Sequence, residues 1–241
     1  MKRKIFVSLS LIICTVLAVS AQKRIQLDSE TTTTTYDFSG YDTIEVSGDF
    51  KVDLTVDSSS NSFTLEANRN LMEYVDITQE GKTLKLDLKN LWNARGKMIL
   101  DATISTTGMV DTYWLSGDAV VNVSNALKAD AISLNLKGDS VLKADIDAND
   151  LNLQAKSDSA ITLSGSVTTL DARLSSDSLL KGKELTISNA DINLSGDSQA
   201  WIVATSSLSA VASGDSVLRY SGNPEVKKSV STGDSEIYKV N

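Results

Sequence analysis

The chain has 241 residues with 31 acidic and 23 basic side chains, one cysteine and no histidine. That inventory excludes Ser-His and Cys-His nucleophilic centres and removes the usual ligands of zinc. A formal net charge of −8 argues against nucleic acid, anionic lipid or another polyanion as the main partner, because such binding relies on clustered Lys and Arg.

Residues 1–21 read as a signal peptide. Lys2, Arg3 and Lys4 make a positive start, Ile5 to Val19 is largely apolar, and Val19-Ser20-Ala21 offers the small residue that signal peptidase needs. Cys14 does not read as a lipoprotein cysteine, since Ile13 stands where a small residue is wanted and the apolar run continues past it. Export is therefore expected, to the periplasm, the cell surface or the medium. Cleavage would remove three basic residues and no acidic one, which takes the net charge to about −11. The remaining chain has no cysteine and no further apolar run of membrane length, so no membrane span is expected after cleavage.

Residues 22–35, ending in the run Thr31 to Thr35, show no alternating core pattern and read as a flexible lead-in. Residues 36–241 read as a single domain. In its irregular first part, 36–114, Ile44, Val46, Gly48, Phe50, Val52, Leu54 and Val56 alternate around Gly48-Asp49. Further alternating runs follow from Phe63 to Ile104, with a turn at Glu80-Gly81-Lys82.

From 115 onward the chain repeats. Near copies of Ser-Gly-Asp-Ser place aspartates at Asp118, Asp139, Asp158, Asp177, Asp197, Asp215 and Asp234. A mean step of about 19 residues is too short for a two-helix unit and marks a repeat that buries its apolar face by stacking on its neighbours. Around Asp158 the residues Leu151, Leu153, Ala155, Ser157, Ser159, Ile161 and Leu163 share one parity, while Asn152, Gln154, Lys156 and Thr162 share the other. That is the period of a strand with one face in a core. The alternation runs through the Gly-Asp-Ser, so the small residues on both sides of each aspartate are expected to point inward and the aspartate outward. Parity resets once per unit, as between Val123 and Ile132 or Lys181 and Glu184, so two or three short strands make one turn. A parallel β-helix of about seven coils satisfies these constraints, with each strand paired to its equivalents about 4.8 Å above and below. The much longer step from Asp49 to Asp118 is no multiple of the repeat. Larger early coils, or a hairpin over the open end, would account for it. At the other end Ser229 and Ser231 replace inward aliphatics, as in a cap that refuses further strands.

The small-Gly-Asp-Ser unit between alternating aliphatics, together with Tyr220-Ser221-Gly222-Asn223-Pro224-Glu225-Val226 before the last repeat, resembles the putative auto-transporter adhesin, head GIN domain family of Bacteroidetes. The resemblance covers about Phe38 to Val240. It implies an all-β, single-stranded, right-handed parallel β-helix that is exported, in a family whose members are mostly of unknown function.

Three candidate surfaces stand out. The aspartate row, Asp118 to Asp234, would bring like charges to about 5 Å, a repulsion of about 0.8 kcal/mol per pair in water that needs no cation to offset it. Its structural reading is that each carboxylate caps its own bend, and its alternative reading is a calcium ladder. Asp145 and Asp147 share an outward face and raise the alternative of a glycosidase or lyase, which needs two carboxylates on opposite sides of a bond. Trp114 and Trp201 fall on the outward parity and could stack on sugar rings or anchor a protein. The expectation is a non-enzymatic structural or binding module of the cell envelope, with no catalytic residue, metal or cofactor. Its expected partner is a glycan or an envelope protein, or a second copy of the chain. A purely architectural part is the remaining alternative.

Overall fold

The computed structural model describes residues 25–89 and 94–241. The signal-peptide reading of residues 1–21 lies outside that range. The described chain is a β-solenoid of about seven turns built on parallel ladders. Successive coils pair residue for residue: Leu134 lies on Leu153, Leu153 on Ala172, Ala172 on Ile192 and Ile192 on Ala210. These side chains form one continuous apolar column, each 1 % exposed or less.

Each coil has three faces. The first leads into the Gly-Asp corner and includes residues 112–116, 133–137 and 152–156, and the second leaves that corner at 120–123, 141–144 and 160–163. A third closes the triangle through residues such as Ala148, Val167 and Ile187. In the strand Leu179–Leu194 the buried parity shifts twice, at Lys183-Glu184 and again at Ser188-Asn189. The first of these shifts is plain in the sequence; the second is hidden because Ser188 and Asn189 are small enough to sit on either side of a bend.

The corner itself corrects one expectation. After five of the seven aspartates the serine is buried: Ser140, Ser159, Ser178, Ser198 and Ser216 stack at 0 % exposure, with Ala119 buried below them and Ser235 half-buried on the last rung. The residue before it does not point inward. Gly117, Gly138, Ser157, Ser176, Gly196, Gly214 and Gly233 all have φ between 59° and 80°, a left-handed backbone that turns the chain. A Cβ on Gly138 would lie 3.0 Å from the Gly117 carbonyl below it. The small residue therefore serves backbone sign and close stacking. The buried serine completes the turn: Ser216 Oγ donates to the Ser213 carbonyl at 3.0 Å and accepts from the Ser213 N–H at 3.2 Å. Ser198 likewise accepts from the Ser195 N–H at 3.2 Å.

The long step from Asp49 to Asp118 is an excursion between adjacent rungs. The strand Thr43–Ser47 pairs directly with Thr112–Ser116, and Lys51–Thr55 pairs with Val120–Val123, so the Asp49 corner lies immediately beneath that of Asp118. Asn125 locks the two coils, with its side-chain amide donating to the Val56 carbonyl at 2.7 Å and accepting from the Val56 N–H at 3.1 Å. The intervening chain covers the open end. Thr83–Leu88 and Leu100–Ser105 add one more parallel rung, and the antiparallel strands Val75–Glu80 and Ser62–Asn68 then close it.

The expected flexible lead-in is also corrected. Thr31–Tyr36 is a strand, antiparallel to Ser62–Asn68, and Ile25–Gln26 pairs with Ala94–Arg95. A threonine run carries no alternating core pattern, yet its β-branched side chains suit an edge strand with little burial on either side. Buried Asn68 ties the segment down by donating to the carbonyls of Asp28 at 2.8 Å and Lys97 at 3.1 Å. At the far end, Glu225–Gly233 is one further parallel rung, exposed along its whole length. It limits the stack by presenting Ser229 and Ser231 where earlier coils present Ala210 and Ala212, and among the described residues no separate element covers it.

Candidate functional site

The aspartate row forms one edge of the prism, where the first and second faces meet. Asp49, Asp118, Asp139, Asp158, Asp177, Asp197, Asp215 and Asp234 are all exposed. At the bottom of the row burial, then the charge of Asp118, raises the Asp49 carboxyl above its ordinary range. Among the described residues no three or more His, Cys, Asp or Glu side chains converge as a metal site. The carboxylates stand at the surface, one per rung along this edge.

On the third face, Asp147 lines a broad groove of about 680 Å³ with Lys128, Asp130, Asn149, Ser166 and Thr186. Asp145 accepts a hydrogen bond from Ser164 at 3.2 Å and Asp147 one from Ser166 at 3.4 Å, each from the neighbouring rung. The two carboxylates stand side by side on one surface. Asp130 adds a further carboxylate to the groove wall, its Oδ1 accepting from the Asn149 side-chain amide at 3.3 Å.

Trp114 stands on the first face with 51 % of its surface exposed. The ladder around it runs Glu45, Trp114, Asn135, Gln154, Arg173 and Asn193, one residue per rung. Beside the indole lies a groove of about 290 Å³ lined by Glu45, Asn135, Lys137, Gln154 and Lys156. An exposed ring next to amide donors and acceptors held on a rigid sheet suits the apolar face and the hydroxyls of a sugar. The underside of that strand is fixed by Tyr113, fully buried, whose hydroxyl donates to the Val110 carbonyl at 3.1 Å. Burial, reinforced by the charge of Asp111, pushes the Tyr113 phenol far above its usual range, so it stays a neutral donor.

Trp201 stands elsewhere. It is half-buried on the second face, four rungs further along, which is about 19 Å on the coil axis. The structure therefore does not bring the two tryptophans into one site. In its column the outward residues run Asp53, Asn122, Lys143, Thr162, Lys181, Trp201, Arg219 and Tyr238. Sequence reasoning missed this row because its members lie a full coil apart along the chain and the net charge hides them. Reading every fourth residue after each repeated aspartate, from Asn122 to Tyr238, would have found it.

The described architecture matches known proteins. The model of the family described as putative auto-transporter adhesin, head GIN domain, matches residues 40–224. Among solved structures, a putative adhesin from Bacteroides fragilis superposes with a TM-score of 0.81 at 18 % identity, over 90 % of this chain and 100 % of that one. A putative adhesin from Parabacteroides merdae gives 0.69 at 15 % identity, over 90 % and 99 % of the two chains. A protein from Parabacteroides distasonis described as a putative lipid binding protein gives 0.68 at 20 % identity, over 91 % and 100 %. No curated protein matches the chain. With the matched segment spanning most of the stacked coils, the chain belongs to the head GIN domain family of putative auto-transporter adhesins.

Proposed function

We propose that this chain is an exported, non-enzymatic adhesin-like module of the bacterial envelope that binds extended glycans along its flat faces. Membership of an adhesin family supports the binding role, and the signal-peptide pattern of residues 1–21 supports export. The observation that carries the glycan reading is Trp114, half out of the protein on a rigid strand, with Asn135 and Gln154 rising beside it on successive rungs. Ring stacking supplies affinity on such a surface, and the amides supply orientation. A pectinase-like activity is disfavoured by the side-by-side placement of Asp145 and Asp147.

The test is a glycan array probed with the chain from residue 22 onward, followed by affinity measurement on the best hit. Trp114→Ala should leave the circular dichroism melt in place and weaken that hit about tenfold, the equivalent of about 1.4 kcal/mol. An array with no hit, or a variant that binds as tightly as its parent, overturns the reading.

A further inference from the structure

The second face carries a cationic row on an acidic protein. Of its last six rungs, from Lys143 to Tyr238, three are Lys or Arg and two are aromatic. Lys183 adds a fourth cation, its ammonium 5.4 Å from the centre of the Trp201 ring. The Arg219 guanidinium lies 5.2 Å from that ring and 5.5 Å from the ring of Tyr238, its neighbours on adjacent rungs. Gln199 holds one edge of the same guanidinium by accepting from Nη1 at 3.3 Å. Stacking and this hydrogen bond fix the plane of the arginine fork before any ligand arrives, so less side-chain freedom is lost on binding.

Among the described residues these cations also make no ion pair. Among the described residues the ion pairs are Arg69–Glu30, Lys82–Asp42, Lys85–Glu80, Lys89–Asp76 and Arg173–Asp171, none of them in this row. Two grooves meet at Trp201. One, of about 500 Å³, is lined by Lys143, Thr162, Lys181, Lys183 and Glu184 around the indole; the other, of about 310 Å³, is lined by Lys183, Arg219 and Ser221. Glu184 is the one acidic side chain on these walls among the described residues.

We infer that this row is a second binding site, separate from Trp114, that takes an acidic polysaccharide bearing carboxylate or sulfate groups. The inference rests on the glycan-binding reading above and adds the ligand's charge. Lys143, Lys181 and Arg219 fall on alternate rungs, about 9.6 Å apart, a regular spacing that matches a polymer with regularly spaced anions. A planar, pre-set guanidinium grips carboxylate or sulfate through two parallel N–H bonds. A membrane surface fits less well. Of the large exposed apolar side chains, Trp114, Val226 and Val230 stand on other strands, which leaves Tyr238 alone among them on this face, too little apolar surface to hold a bilayer. The overall negative charge acts against a polyanion at long range only, and at physiological salt it is screened beyond about 8 Å.

The experiment measures affinity of the chain from residue 22 onward for polygalacturonate, for chondroitin sulfate and for neutral dextran, with anionic phosphatidylglycerol vesicles as a fourth arm. An acidic polymer should bind, more weakly as salt rises, and the paired change Lys181→Glu with Lys183→Glu should cost at least tenfold. Arg219→Lys, which keeps charge but loses the fork and the stack, should cost less yet measurably. Lys97→Glu, the same charge reversal at an exposed lysine of the N-terminal cover, should leave this affinity unchanged. Thermal melts establish that the exposed substitutions leave the fold standing. Neutral dextran binding as well as the acidic polymers overturns the inference, and so does unchanged acidic binding in the Lys181/Lys183 variant; either result leaves the Trp114 reading intact. Vesicles binding through these lysines in place of the polysaccharides overturns it in favour of lipid. Loss of every glycan interaction overturns both readings.

Discussion

At the N-terminal end the bottom coil meets Phe50, Phe63, Tyr36 and Phe38 under an antiparallel cover, with the Tyr36 and Phe63 rings 5.0 Å apart. At the C-terminal end the top coil meets Ser229 and Ser231 and then water. Both ends must stop a stack of parallel strands whose edges would otherwise accept another chain. The first buries the final rung under bulk that the narrow coils cannot hold, using the long excursion of the chain between Asp49 and Asp118. The second changes the chemistry of the rung itself, so that an added strand would bury hydroxyls and gain little. Cover adds to global stability; chemical blunting only limits growth.

The largest test of that difference is a pair of truncations in size. Phe50→Ala, at 0 % exposure beneath the Asp118 coil, should cost about 3–5 kcal/mol in urea unfolding, whereas Ile237→Ala on the last coil should cost under about 1 kcal/mol. Equal losses would mean that the last coil is as well packed as the first. Next in size is Gly222→Ala. Its φ is +89° and a Cβ would meet the Ala204 carbonyl at 2.0 Å, so the chain there must shift. Strain of about 1–3 kcal/mol should detach the segment after it, which amide exchange would report as lost protection confined to 225–239 while the cap strands keep theirs. A global loss would show that the open end supports the whole stack.

The smallest effect concerns charge at the closed end. Asp49 binds its proton more tightly in the folded chain than in the unfolded one, so this corner is most stable at low pH. That contribution is lost as pH rises from the ordinary carboxylate range through the higher folded value. Asp49→Asn should therefore raise the melting temperature slightly at pH 7 and leave it unchanged at pH 3. Burial is the larger cause, and repulsion from Asp118, about 0.8 kcal/mol at 5 Å in bulk water and less with salt, adds to it.

Much of the fold was legible because it is periodic. Leu134, Leu153 and Ile192 announce the core by parity, and the seven aspartates announce the coil length. From Ser140 to Ser216 the serine after the aspartate lies in the core as parity implies, but the residue before it does not. Parity carries no information on the sign of φ, and Gly138 reads alike as a packing choice or a left-handed turn. Ser157 and Ser176, at φ 63° and 59°, show that the turn outranks side-chain preference there. Thr31–Tyr36 was missed because an edge strand needs neither alternation nor a core face. The cap was legible only as an irregular interval, since strand order cannot be read from spacing. Of the candidate surfaces, the exposure of Trp114 followed from parity. The cationic row did not, because it exists only once successive coils are laid on one another.

The excursion between the Asp49 and Asp118 corners leaves one rung and returns on the next, and the cover it builds touches only the bottom of the stack. Nothing in the middle of the rod therefore depends on how many rungs there are. Duplication or loss of one repeat, such as 141–159, would lengthen or shorten the molecule by about 4.8 Å and leave both termini intact. Reach is thus a quantity that the gene can adjust in whole steps, without redesigning a single fold-determining contact.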